Sequence, residues 1–238
     1  MAHGGWRIAS GLLLLPAALA GAAGCGSGAG SPASVTTSAS AAKAAAVGGI
    51  SAAMLREALL TRVNGVAATA PASTGRYSSV SGTGKSAQTA SGVQVIPKAC
   101  TAAATLGFDP TALAGAPAAA VTFRVGTNGV SEVLIASSAK SASSALAGHV
   151  PAACTRYEEK VGGKTFTYGV KEQPVTGIGT QAKILNFHAV GATDDLWSLI
   201  YRGTGFVGTV TVIGPNASEQ SVQQLGKQAY AYAAKNLS

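Results

Sequence analysis

From residue 50 onward the apolar positions change period several times, and each change marks an element. Met54, Leu55, Ala58, Leu59 and Val63 recur at helical spacing after Ser51, a residue able to cap a helix, and Gly65 is placed to stop it. Residues 66–97 hold few large apolar side chains and many Ser, Gly, Thr and Ala; with only Val93, Val95 and Ile96 as anchors, they predict a long surface loop. Pro97 opens a short helix that carries Cys100 and ends at Gly107, and Asp109-Pro110 starts another turn. From Ala118 the period becomes two. Val121, Phe123 and Val125 alternate with Thr122 and Arg124, which predicts a strand. Asn128-Gly129 is a hairpin signal, with residues 130–136 as the returning strand. Ser137 or Ser138 then caps a helix of small residues reaching Ala147, and Gly148 closes it.

Past Cys154, residues 156–161 and 164–170 flank Gly162-Gly163 as a second hairpin. Strands over 182–190 and 196–202 follow, joined by a turn holding Asp194 and Asp195, and 206–213 makes the last strand. Asn216 to Glu219 has capping-box spacing before a final helix, whose Val222, Leu225, Ala229 and Tyr232 form one apolar stripe. No internal repeat is visible. Short hairpin links require antiparallel pairing, so the class is α+β: an antiparallel sheet with helices packed on it, two-layer or sandwich-like.

The start of the chain follows another pattern. Arg7 precedes an apolar run at Leu12 to Leu15 and 16–20, then small residues 21–24, then Cys25. A basic start, a short apolar stretch and small residues before a cleavage point describe a secretory signal. The run is shorter than the roughly 20 apolar residues a membrane-spanning helix needs. Ala22-Ala23-Gly24-Cys25 resembles the bacterial lipobox, which implies that Cys25 is diacylated and anchors the mature chain to the outer face of the cell membrane. The plainer alternative is an ordinary secretory peptide with a stray cysteine. Residues 25–49 are almost wholly Gly, Ser, Ala, Thr and Val and predict a flexible tether. The division is therefore a signal peptide at 1–24, a tether at 25–49 and one domain at 50–238.

Charge narrows the partners. The chain carries 17 Lys and Arg against 9 Asp and Glu, a formal net charge of +8, but no three basic residues are adjacent. A nucleic-acid footprint needs clustered basic residues, so nucleic acid is excluded. A diffuse positive field suits an anionic envelope ligand such as a wall polymer or lipid headgroup, or serves solubility alone. With Cys25 assigned to the anchor, Cys100 and Cys154 remain as an even pair, which in an exported domain reads as a disulfide; two free thiols are the alternative.

Catalytic signals are weak. Gly203-Thr204-Gly205-Phe206-Val207-Gly208 matches the dinucleotide fingerprint, yet a β-branched alternating stretch follows where a helix is required, so it reads as a hairpin turn. His149 and His188 lack partners at metal-ligand spacing, so no metal or cofactor is expected. No Gly-x-Ser-x-Gly elbow is present. The adjacent Glu158-Glu159 should point to opposite faces of a strand, and Asp194-Asp195 should sit at a turn. The chain is not expected to be an enzyme. A polar sheet face is the stronger lead: Thr122 with Arg124, Asn186 with His188, Ser198 with Arg202, and Thr209 with Thr211 each share a face of their strand. If register aligns them, Arg124, His188 and Arg202 form an anion-binding face while Trp197, Leu199 and Tyr201 face the core. The alternative is a merely solvated face.

Ile96-Pro97-Lys98-Ala99-Cys100 and Pro151-Ala152-Ala153-Cys154 carry a family resemblance. The order helix, Pro-x-x-Cys, hairpin, helix, Cys, hairpins and closing helix, over 51–237, resembles the extracellular sensor domain of PknH-type mycobacterial Ser/Thr kinases and related actinobacterial lipoproteins. The resemblance implies that the family's first disulfide falls on Cys100 and Cys154. Leu199 and Ile213 stand where cysteines of a second would be expected. It further implies helices on a sheet, a cleft for an unknown ligand and no enzymatic activity, and it carries over no ligand residue. Three functions follow for comparison: a lipid-anchored sensor-like binding module, a carrier of lipid or glycolipid, and an envelope hydrolase.

Overall fold

The computed structural model describes residues 46–80, 93–104 and 109–238. Cys25 and the stretches read as a signal peptide and, nearly all of it, a tether lie outside the described residues. The elements run α1 (Ala52–Glu57), β1 (Arg62–Val63), β2 (Val66–Ala67), β3 (Ser73–Arg76), α2 (Tyr77–Val80), β4 (Val93–Ile96), α3 (Thr101–Ala104), β5 (Pro117–Val125) and β6 (Asn128–Ala136). They continue with α4 (Ala139–Leu146), β7 (Arg156–Val161), β8 (Lys164–Val175), β9 (Gln181–Ala189), β10 (Asp195–Arg202), β11 (Phe206–Gly214) and α5 (Glu219–Leu237). Nine strands form one sheet in the order β3-β5-β6-β11-β10-β9-β8-β7-β4. Each neighbouring pair is antiparallel. The class is α+β with helices packed on an antiparallel sheet, as the hairpin links require.

Both faces of the sheet carry helices. On one, called here the α5 face, Phe123, Leu134, Ile184, Leu199, Tyr201, Val210 and Val212 are buried with Leu55 of α1 and Val222, Leu225, Ala229 and Ala233 of α5. On the other, the α4 face, Ile135, Leu185, Ile200 and Val207 pack with Ala142, Ala145 and Leu146 of α4. Further along that face Tyr157, Tyr168 and Val170 cluster with Cys100 and Cys154. Those two cysteines are disulfide-bonded, with Cα atoms 5.3 Å apart. The many buried alanines bring helix and sheet backbones close together.

Several elements differ in detail from the sequence expectation. The first helix ends at Glu57, and Val63 belongs to the β1–β2 hairpin. Its turn is Asn64-Gly65, both at positive φ (49° and 80°), so Gly65 shapes a turn and does not stop a helix. The stretch read as a loop contains β2, β3, α2 and β4; β3 and β4 are the edge strands of the large sheet, where few large apolar side chains are needed. Val125 pairs with Asn128, so the β5–β6 connection is Gly126-Thr127 and not Asn128-Gly129. Asn128 instead uses its side-chain oxygen to accept the Asn216 N–H at 3.2 Å. The cap of α5 is Ser218, paired with Ser221 in a reciprocal box, and not Asn216. Tyr232 is exposed while Ala233 is buried, because four residues past Ala229 lies nearer the centre of the apolar stripe than three.

Candidate anion-binding cleft

Register decides which of the sequence-predicted site residues meet. His188 pairs with Asp195, so the even positions of β9 share a face with the odd positions of β10. His188 and Asn186 therefore lie on the α5 face with Trp197, opposite to Arg202. This corrects the expectation of one common face: alternation within each strand was right, but the β9–β10 register sends the two sets to opposite sides. His188 Nδ1 is 2.7 Å from Asp195 Oδ1, a half-exposed surface pair. Arg124 does share the α4 face with Arg202, but its row crosses β10 at Leu196. Six residues along that strand separate the rows, roughly 20 Å. Arg124, His188 and Arg202 do not form one site.

Arg202 has other company. It ends β10 and lines a cleft of about 170 Å³ with Ser137, Ser138, Ala139, Thr180 and the turn Gly203-Thr204-Gly205. That turn is the fingerprint match, and it is a hairpin as its β-branched sequel requires: the Gly203 N–H donates to the Phe206 carbonyl at 2.9 Å. Gly205 sits at φ +78°, and its carbonyl accepts the Ser137 N–H at 2.9 Å, which sets the end of β6 beside the turn. On the other side the Thr180 N–H donates to the Arg202 carbonyl at 2.9 Å. Gly179 makes this approach possible, because a β-carbon there would stand 2.1 Å from the Arg202 carbonyl oxygen.

The cleft gathers groups of positive or polar character. Ser138 caps α4 by accepting the Ser141 N–H at 3.1 Å, so the positive end of that helix opens beside Ala139. Arg202 Nη1 donates to Ser143 Oγ at 2.8 Å, which holds the guanidinium against the first turns of α4. Among the described residues no carboxylate lines the cleft. Ser137 is 4% exposed, and its hydroxyl has no hydrogen-bond partner among the described residues. Thr180 and Thr204 are exposed at the rim. The sequence singled out Arg202 but not these neighbours. Ser137 and Ser138 read only as caps and Gly203 to Gly205 only as a turn, since nothing local says that a turn 66 residues away will close on that cap.

Several other titratable groups are engaged within the fold. Lys183 is buried, 3.3 Å from Glu172 Oε1, and it also donates to the Gly148 carbonyl. Glu172 accepts the Val150 N–H at 2.6 Å, and His149 Nδ1 lies 3.0 Å from it. Burial raises the Glu172 carboxyl, but the Val150 N–H, the Lys183 charge and His149 outweigh it and leave the group below its ordinary range. Glu132, 1% exposed on the α5 face, accepts the Leu60 N–H at 2.8 Å; burial pushes its carboxyl up to about 7. Glu158 and Glu159 point to opposite faces, exposed and buried, as alternation predicts. Among the described residues each histidine hydrogen-bonds a carboxylate, neither is hydrogen-bonded to a serine or cysteine, and no cluster of three metal-ligating side chains is found.

No family model and no curated protein matches the sequence. Among solved structures the chain is similar to the extracellular domain of PknH from Mycobacterium tuberculosis, with a TM-score of 0.41 and 13% identity over 61% of this chain and 77% of that one. It is also similar to a Rv0999 ortholog from Mycobacterium smegmatis, with a TM-score of 0.36 and 16% identity over 60% and 77% of the two chains. The first of these comes from the family that the order of sequence elements resembles.

Proposed function

We propose that this chain is an exported lipoprotein, held at the outer face of the cell membrane through Cys25, whose folded domain binds an anionic ligand in a sensor-like manner without turning it over. The observation that carries the reading is the Arg202 cleft, where a guanidinium, a helix N-terminus and a serine whose buried hydroxyl is unpartnered among the described residues come together with no carboxylate among the described lining residues. The disulfide supports an exported domain. Non-catalytic binding is favoured over an envelope hydrolase because catalysis would need a nucleophile within reach of a base, and among the described residues neither histidine is hydrogen-bonded to a serine or cysteine. A carrier of lipid or glycolipid is the second reading. At about 170 Å³ the cleft is smaller than the roughly 300–1,000 Å³ of pockets that enclose drug-sized ligands, which suits a small charged group better than acyl chains.

Isothermal titration of the purified chain with acetate, sulfate and phosphate tests the reading. At least one anion should bind at low salt, and Arg202→Ala should abolish the heat while Arg124→Ala leaves it intact. Equal binding by Arg202→Ala and the unaltered chain would remove the cleft from consideration.

A further inference from the structure

The chemistry of the Arg202 cleft points beyond a generic anion. Resting on the anion-binding reading above, we infer that the cleft takes a phosphoryl group, the charged end of a small phosphate ester, in preference to a carboxylate.

Its donors come from three elements that approach from different directions: α4 through its N-terminal N–H groups, β10 through Arg202, and the end of β6 through Ser137. A carboxylate presents two oxygens in one plane, which a free guanidinium fork satisfies by itself. Here Nη1 is engaged with Ser143 and the Nε–Nη2 edge remains for a ligand, while the Ser137 and α4 donors belong to other elements. A tetrahedral phosphoryl offers one oxygen to each element, and helix N-termini are well suited to receive it. Ser137 supplies the second observation. Its hydroxyl is buried without a partner among the described residues, a state that costs free energy unless something completes it. Thr180 and Thr204 at the exposed rim leave the ester substituent a way out to solvent. The phosphoryl therefore sits on the Ser137 floor with its organic group past the two threonines. A free phosphate ester and a phospholipid headgroup share this chemistry.

The test is calorimetric titration of the full chain, purified in a phosphate-free detergent, with methyl phosphate, glycerol phosphate, dihexanoyl phosphatidylglycerol and acetate. Methyl phosphate should bind at least about tenfold more tightly than acetate. Ser137→Ala removes only an unbonded hydroxyl, so it should fold normally and weaken methyl phosphate by about threefold to tenfold. Arg202→Lys keeps the charge and loses the planar donor, and should weaken it by about tenfold or more. Tighter binding of glycerol phosphate assigns a soluble ester, and tighter binding of the short-chain lipid assigns a headgroup; both support a phosphoryl site. Acetate binding as well as methyl phosphate, with Arg202 still required, overturns the phosphoryl inference and leaves the anion site standing. Absence of binding by every probe overturns both.

Discussion

The ring of Tyr201 fills the space above Gly208, its direct cross-strand partner: a β-carbon at Gly208 would stand 2.2 Å from the tyrosine Cζ. Tyr201 is fully buried and meets Phe206 and Tyr230 edge-on, with ring centroids 6.3 and 5.8 Å away. The ring has no room to retreat, so Gly208→Ala should destabilise the domain by about 1–3 kcal/mol in urea unfolding. Adding Tyr201→Leu should recover part of that loss, since the clash goes with the ring. The Tyr201 hydroxyl has no partner among the described residues, so Tyr201→Phe alone should be neutral or slightly stabilising. A loss above about 1 kcal/mol for Tyr201→Phe would show that the hydroxyl is bonded after all.

Glu132 gives the domain a stability that depends on pH. Its folded pKa of about 7 lies above its ordinary value of 4.5, so between the two the folded state keeps a proton that the unfolded state releases. The Glu132 contribution is therefore fully present below pH 4.5, is lost as pH rises toward 7 and levels off above it, a total on the order of 3 kcal/mol. Glu132→Gln retains an acceptor for the Leu60 N–H and should flatten that decline. Unfolding midpoints measured from pH 4 to pH 8 that fall equally in both proteins would assign the effect to another group.

Lys183 and Glu172 fasten the segment after α4 to the sheet, through the Gly148 carbonyl and the Val150 N–H. Lys183→Met leaves a carboxylate buried without its cation and should cost about 3–5 kcal/mol. Lys183→Met with Glu172→Gln should cost clearly less, because no charge is then stranded. The depressed Glu172 carboxyl also makes a contribution present above its unfolded value and lost as pH falls through its lower folded value. Single and double variants of equal stability would show the pair to be energetically silent.

Cys100 and Cys154 close a span of 54 positions, for which chain entropy gives roughly 4 kcal/mol. Cys154→Ser should lower stability by about 2–5 kcal/mol. Both thiols should resist alkylation until a reductant is added, and rapid labelling of the untreated protein would contradict the crosslink.

The anchor rests on the sequence alone. Two acyl chains give stable membrane retention where one is marginal. Cys25→Ala should release the protein to the medium or leave it as uncleaved precursor, as fractionation and mass spectrometry will show. A cleaved variant still bound to the membrane would end the lipobox reading.

Alternation in β5, β10 and β11 was legible from the chain because side chains of period two report their own burial: Phe123, Leu199 and Tyr201 are core residues, as their spacing predicts. The helix over Ala139–Leu146, the final helix and the cysteine pair were legible for similar reasons, as each is marked by cap chemistry, apolar spacing or residue type within a short stretch. Edge strands β3 and β4 were not, since a strand half open to solvent needs no apolar signature and owes its existence to the neighbour it pairs with. The site divided in the same way. Which face each of Arg202 and His188 takes within its own strand follows from sequence; that they face apart is a matter of register between strands. That Ser137, Thr180 and Thr204 surround Arg202 depends on a turn, a loop and a helix cap brought together over long separations, and only the packed sheet imposes that closure.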